Sequence, residues 1–236
     1  MLIAQITDFH VGRKIETTVG LIDLYDRLIT AVNHINNLIN VPDLVVVTGD
    51  ISNHGKEEDY LRTKKALDTL KMPYLIIPGN HDHRQRVRET FSDHTYLQTN
   101  SEFINYSVER YPLRLIALDT LNPGHHHGLL CNERLYWLEK TLNEQPDRPT
   151  LIFMHHPPAS VQYPYMDAMN CKNGDKMKSI IETNRQIKAI CCGHLHRDAT
   201  VNWANTLLFI TGSSAFSYDL FMNEVSDIDP VIEPGI

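Results

Sequence analysis

Aspartate, histidine and asparagine recur where this 236-residue chain leaves its short apolar runs. Asp8 and His10 follow LIAQIT (2–7), and Asp50 follows DLVVVTG (43–49). Asn80, His81 and Asp82 follow YLIIPG (74–79), His155 follows LIFM (151–154), and His194 and His196 follow AICCG (189–193). Singly, each stretch reads as an ordinary polar turn. Together they form one donor set delivered at successive strand ends, where open α/β sheets build their sites. Carboxylate, imidazole and amide oxygen without thiolate suit Mn, Fe, Co, Zn or Ni. Asp8, His10, Asp50, Asn80, His155, His194 and His196 are too many ligands for one tetrahedral ion and suit two ions sharing a carboxylate. Asp8/His10 and His194/His196 are i, i+2 pairs, which an extended backbone would place on one side.

The elements that must position these residues alternate between apolar strands and helical patterns. Leu21, Tyr25, Leu28, Val32, Ile35 and Ile39 recur in steps of three and four and predict one helical face. Residues 56–71 predict a second helix, ended by Pro73, and 132–144 a third with Asn132 as N-cap. FINYSV (103–108) and LRLIALD (113–119) read as neighbouring strands, and IKAICC and TLLFIT as further ones. The alternation indicates a layered α/β domain. No repeat or low-complexity tract interrupts it. The pattern fades beyond about Ser217, so residues 1–215 are expected to form the catalytic domain and 216–236 a tail or the start of an oligomerisation segment.

Composition narrows the function. The net charge of −7 disfavours a general nucleic-acid binder, which usually carries a basic excess. Cys131, Cys171, Cys191 and Cys192 contain no C-x-x-C pair, so zinc-ribbon and thioredoxin-like motifs are absent. The N-terminus makes a poor signal peptide, and no apolar run approaches the ~18 residues of a membrane span. A reduced, cytoplasmic protein without membrane insertion is expected. The most conspicuous stretch, GHHHG (124–128), is the weaker signal, because three successive histidines converge poorly on one ion.

In order, D-x-H, G-D, G-N-H-D, H and G-H-x-H resemble the calcineurin-like metallophosphoesterases. Here the motifs read Asp8-Phe9-His10, Gly49-Asp50, Gly79-Asn80-His81-Asp82, His155 and Gly193-His194-Leu195-His196. MHHPP (154–158) and the compact size are similar to the class III cyclic nucleotide phosphodiesterases, and within them to the bacterial binuclear glycerophosphodiesterases. The resemblance implies a four-layer αββα sandwich of two mixed sheets. It also implies two divalent ions, Mn, Fe, Co or Zn. One would be held by Asp8, His10, Asp50 and His196, the other by Asp50, Asn80, His155 and His194. Asp50 would bridge, and His156 would neighbour the site without binding metal. The implied reaction is attack of a metal-bound hydroxide on a small phosphodiester. Two ions lower the pKa of bound water and clamp the phosphoryl oxygens, and neutral ligands beside two carboxylates keep the site positive.

In that family the histidine at the position of His81 contacts the phosphate and assists the leaving group; Asn80 and His194 are expected to touch substrate as well. Many phosphatase relatives carry an aspartate where this chain has Asn53. Asn53 is therefore expected to support His81 without adding charge, with Asp82 a further support. Tyr163, Tyr165, Met166 and Asp167, in the loop after His155, are candidates either to shape the pocket or to pack on the fold. Alternatives on the same fold are a nuclease, with Arg84, Arg86 and Arg88 as phosphate contacts, a phosphomonoesterase, a nucleotide-sugar pyrophosphatase, or a non-catalytic scaffold. A homo-oligomer, dimer or higher, is expected.

Overall fold

The computed structural model describes residues 1–17 and 20–218. Two sheets stack face to face. Strands β1 (Ile3–Ile6), β4 (Leu44–Val47) and β5 (Tyr74–Ile76) form an all-parallel sheet in the order β1-β4-β5. The other sheet contains β6 (Tyr106–Val108), β7 (Arg114–Leu118), β8 (Thr150–Met154), β9 (Ile187–Cys192), β10 (Ala199–Trp203) and β11 (Thr206–Ile210). Its order is β10-β11-β9-β8-β7-β6, with the four central strands parallel and the outer two antiparallel. A hairpin of β2 (Lys14–Thr17) and β3 (Gly20–Asp23) stands apart.

Helices α1 (Leu24–Asn36), α2 (Glu57–Leu67) and α3 (Arg84–Thr90) pack with the smaller sheet, and α4 (Asn132–Glu144) and α6 (Gly174–Thr183) with the larger; α5 (Pro164–Asp167) is a single turn. Strand periodicity divides the larger sheet between two cores. Leu115, Ala117, Leu151, Phe153 and Ala189 face the smaller sheet, whereas Ile116, Leu118, Ile152, Met154 and Ile190 face the second core beneath α4 and α6. In β4 every side chain is buried, as expected of a parallel strand covered on both faces. Gln5 ties the sheets together near their ends: its amide donates to Thr48 Oγ1 (3.0 Å) and to the Cys192 carbonyl (2.8 Å) and accepts from Thr211 Oγ1 (2.8 Å).

Several expected boundaries move. The first helix starts at Leu24, because Asp23 caps it by accepting from Tyr25 N–H at 3.1 Å. Leu21 belongs to the hairpin, and Ile39 lies past the helix end; both are exposed, so the apolar period outran the helix in both directions. Helix α2 stops at Leu67, and Cys131 rather than Asn132 occupies the cap of α4. Of FINYSV, only Tyr106–Val108 pairs as a strand. Most of the expected tail, residues 219–236, lies outside the described residues.

Candidate metal centre

The polar residues leave the carboxyl ends of β1, β4, β5, β8 and β9, which run parallel within their own sheets. They are not presented by extended chain, as the i, i+2 spacing suggested. Asp8, His10, Asp50, His194 and His196 all have positive φ, between 47° and 73°. Such left-handed conformations are uncommon outside glycine and cluster at functional sites. These left-handed residues follow β1, β4 and β9; Asn80 after β5 and His155 after β8 do not share that conformation. Close approach has a steric condition as well: a Cβ on Gly49 would lie 2.6 Å from His155 Nδ1 and 2.7 Å from the Gly79 nitrogen.

Asp8, His10, Asp50 and His196 are buried and bring one ligand atom each within 4.8 Å of one another. One oxygen of Asp8 is used for anchoring: Oδ2 accepts from Thr7 Oγ1 (2.6 Å) and from His194 N–H (3.0 Å). Its Oδ1 is buried without a hydrogen-bond partner, 3.3 Å from His196 Nε2. Asp50 is divided in the same way. Oδ1 accepts from His81 N–H (2.9 Å), while Oδ2 lies 3.5 Å from His10 Nε2 and 3.4 Å from His155 Nε2, between the two clusters.

The imidazoles are oriented through their other nitrogens. His10 Nδ1 faces Asn53 Oδ1 (3.1 Å), His155 Nδ1 the Thr48 carbonyl (2.6 Å), and His196 Nδ1 the Phe216 carbonyl (3.0 Å). Carbonyl oxygens only accept, so each Nδ1 carries a hydrogen, and in the neutral ring Nε2 is the atom left to bind a cation. The Nε2 atoms of His10 and His196 then stand 3.1 Å apart, lone pair toward lone pair, an arrangement that calls for a cation. His194 Nε2 is likewise buried and unpartnered, and His155 Nε2 lies 3.2 Å from Asn80 Oδ1. These orphaned donor atoms, in two neighbouring groups, have the chemistry to hold divalent cations.

The titration behaviour agrees. Burial opposes charge on Asp50, but the facing His155 and His81 hold it well below the usual carboxylate range. Burial also opposes charge on Asp8, where His196 and His155 bring it down to about 2. Burial pushes His10 and His194 down to about 3. At His155 burial is outweighed by Asp50, then Asp8, and the ring rises to about 9. The site holds its carboxylates ionised and favours positive charge between them.

His156 lies within ligand reach of His155 and His194, but both its nitrogens are occupied. Nε2 donates to the His126 carbonyl (3.1 Å), and Nδ1 pairs with Thr120 Oγ1 (2.8 Å). It is a strut. Asn53 serves His81 differently than expected: its side chain orients His10, and its backbone carbonyl accepts from His81 Nδ1 at 2.9 Å. Asp82 binds the N–H groups of Ile51, Ser52 and Gly79 and the Tyr60 hydroxyl, locking the Asp50 and Asn80 loops together. Burial and the nearby Asp50 push Asp82 up to about 6.

Sequence reasoning missed the residues that close the site from behind. Phe216 packs on His10 and His196, with centroids 5.4 and 4.4 Å away. Ser213 Oγ donates to the Asp8 carbonyl (2.7 Å) and accepts from Ala215 N–H. TGS after a strand was the one available signal. In the loop after His155, Tyr163 and Met166 are buried in the second core. Asp167 is spent on the loop itself, accepting from Ser160, Val161, Tyr163 and Asn170. Arg84 pairs with buried Asp119 (2.6 Å), and Arg88 donates to the Leu97, Ser101 and Phe103 carbonyls, so protein acceptors already occupy both.

A family model for calcineurin-like phosphoesterases matches residues 1–198. A probable glycerophosphodiester phosphodiesterase, GpdQ, from Arcobacter nitrofigilis is 33% identical over 235 residues, 99% of this chain and 86% of its own length. The cyclic AMP phosphodiesterase CpdA of Escherichia coli K12 is 26% identical over 92% of this chain and 77% of its own. A dimetal phosphatase from Danio rerio superposes with a TM-score of 0.71, covering 91% of this chain and 88% of its own at 15% identity, a likeness of fold.

Proposed function

The chain belongs to the calcineurin-like phosphoesterase family, and from that premise we propose that it hydrolyses small phosphodiesters, glycerophosphodiesters ahead of cyclic nucleotides, at a centre of two divalent ions. The carrying observation is Asp50 Oδ2, set between His10 Nε2 and His155 Nε2. Asp8, His10, Asp50 and His196 would hold one ion, and Asp50, Asn80, His155 and His194 the other. Two such ions supply a water nucleophile near neutral pH and charge neutralisation at phosphorus.

The chain's own groups do the rest. Thr7, Thr48, Asn53 and the Phe216 carbonyl fix the rotamers and tautomers of the ligands. His81, held through Nδ1, keeps Nε2 for a phosphoryl oxygen, and Asn80 and His194 flank the same space. Tyr163 and Met166, buried under their loop and not ready to stack on a base, support the preference for glycerophosphodiesters, while Tyr165 is half-buried against the second core. With Mn, Co, Fe or Zn supplied, kcat/KM should be highest on glycerophosphoethanolamine, lower on cyclic AMP, and measurable on bis(p-nitrophenyl) phosphate. A wild-type protein inert on all three would overturn the reading.

A dimer or larger assembly belongs to this proposal; a monomer mass independent of concentration would remove it. None of the described helices is long and apolar enough to cross a membrane. The four cysteines are free, and burial pushes Cys171 and Cys191 up to about 12, which suits a reducing cytoplasm.

A further inference from the structure

The three histidines of GHHHG behave differently from one another. The rings of His125 and His127 stack at 4.8 Å and 16°, and His127 Nδ1 pairs with the Asn122 amide at 3.2 Å. His126 instead stands beside the site. Its ring centroid is 6.2 Å from that of His81, which is 4.7 Å from that of His10. The sequence metal ligand, His81, His126 therefore runs outward from the centre.

The loop that carries His126 is held firmly. His156 donates to the His126 carbonyl, and Gly128 lies so close that a Cβ there would be 2.6 Å from the His156 ring. The Leu121 carbonyl accepts from both Arg84 (2.5 Å) and Arg134 (3.0 Å), whose buried guanidinium groups gather around Asp119. Leu129 N–H closes the neck of the loop on the Thr120 carbonyl at 3.0 Å. All these contacts use backbone atoms of the loop and would hold any residue at position 126. They account for the loop but not for an imidazole, which remains exposed next to His81.

Resting on the diesterase reading above, we propose that His126 is a catalytic residue that contacts the leaving oxygen of the phosphodiester, while His81 contacts a phosphoryl oxygen. In an in-line displacement, the leaving oxygen takes the electron pair of the breaking P–O bond. His126 donates a hydrogen bond to it at that moment. The OH of the attacking water ends on phosphorus and its proton on the departing alcohol, so diester plus water gives monoester plus alcohol. An alkoxide needs this help, whereas a nitrophenolate is stable without it.

The test compares His126→Ala, His126→Gln and His125→Ala with wild type on glycerophosphoethanolamine and on bis(p-nitrophenyl) phosphate. Metal content and melting temperature are read in parallel. For His126→Ala, kcat/KM should fall about 10²-fold on the alkyl diester and less than about 3-fold on the aryl diester, the pattern of lost help to a poor leaving group. His126→Gln should recover part of the loss, and His125→Ala should match wild type. Metal content should stay near two per chain. Equal losses on both substrates, no loss on either, or a lost ion would overturn the proposal. A wild-type protein inert on both diesters would overturn the diesterase reading and this proposal together; active wild type with an unaffected His126→Ala variant would overturn this proposal alone.

Discussion

The turns DFH and HLH and the loop GHHHG are both rich in histidine, yet their backbones differ. In DFH and HLH both polar members, Asp8 and His10, His194 and His196, have positive φ. In GHHHG the only positive φ falls on Gly124. Left-handed conformations cost of order 1–3 kcal/mol at non-glycine residues and persist only where the surroundings enforce them. The enforcing contacts are identifiable: Asp8 N–H bonds the Gly49 carbonyl, His10 N–H the Asp50 carbonyl, and Asp8 Oδ2 takes the His194 N–H. Positive φ thus marks five of the seven proposed ligands, Asn80 and His155 excepted, and none of the three histidines of the triplet.

The largest expected effect comes from the shared strained residue. Asp50→Ala should drop metal content well below two ions per chain and lower kcat at least ~10³-fold, the several kcal/mol a Lewis acid contributes; elemental analysis with steady-state kinetics checks both. A variant that keeps two ions would break the assignment of Asp50 as the bridge. Next is His81→Ala, which touches no assigned ligand position: metal content should hold while turnover falls ~10²–10⁴-fold.

Asn53→Ala sharpens the comparison further, because it removes the acceptor for His10 Nδ1, together with a pairing to the exposed neighbour His54, and leaves the backbone carbonyl that holds His81. Affinity for the ion at that cluster should weaken about 10–100-fold. His81 keeps its backbone partner, so turnover at saturating metal should change far less than in His81→Ala. Replacing His125, His126 and His127 together should leave two ions per chain in equilibrium dialysis; loss of an ion would erase the distinction between turns and triplet.

The smallest effect belongs to an unstrained polar residue away from the site. Asp23, at φ −79°, caps α1 and pairs with Arg62 at 2.8 Å. Asp23→Ala should cost about 1 kcal/mol of stability and leave metal content alone. Burial works against the Asp23 carboxylate, but the hydrogen bonds from Arg62 and Tyr25 hold its pKa below the ordinary value. Its stabilisation is therefore present above the unfolded carboxylate pKa and fades as pH falls through the lowered folded value. Denaturant melts of both proteins should converge in acid.

The layered α/β class was legible because apolar strand runs alternate with helical periods, whereas the two-sheet sandwich came only from the family resemblance. Strands such as Leu44–Val47 and Arg114–Leu118 are buried on both faces, so their sequences do not say which core each residue joins. The hairpin of β2 and β3 was not legible: Ile15 and Leu21 carry too little pattern, and Leu21 fits a helical period equally well. Tyr163 and Met166 could not be placed beforehand, since pocket-facing and core-facing apolar residues look alike in a loop.

Residue type and order along the chain determined by themselves the donor chemistry: hard and borderline ligands, two carboxylates, no thiolate, each following an apolar strand. The tertiary structure decided which atom of each residue is free to bind. Thr7, Asn53, Thr48 and the Phe216 carbonyl take up one side of Asp8, His10, His155 and His196 and leave the other side bare. Apart from Thr7, the neighbour of Asp8, these partners lie 20 or more residues from the side chains they orient. A backbone carbonyl has no residue type, so no motif announces it, and only folding brings it to the imidazole it orients.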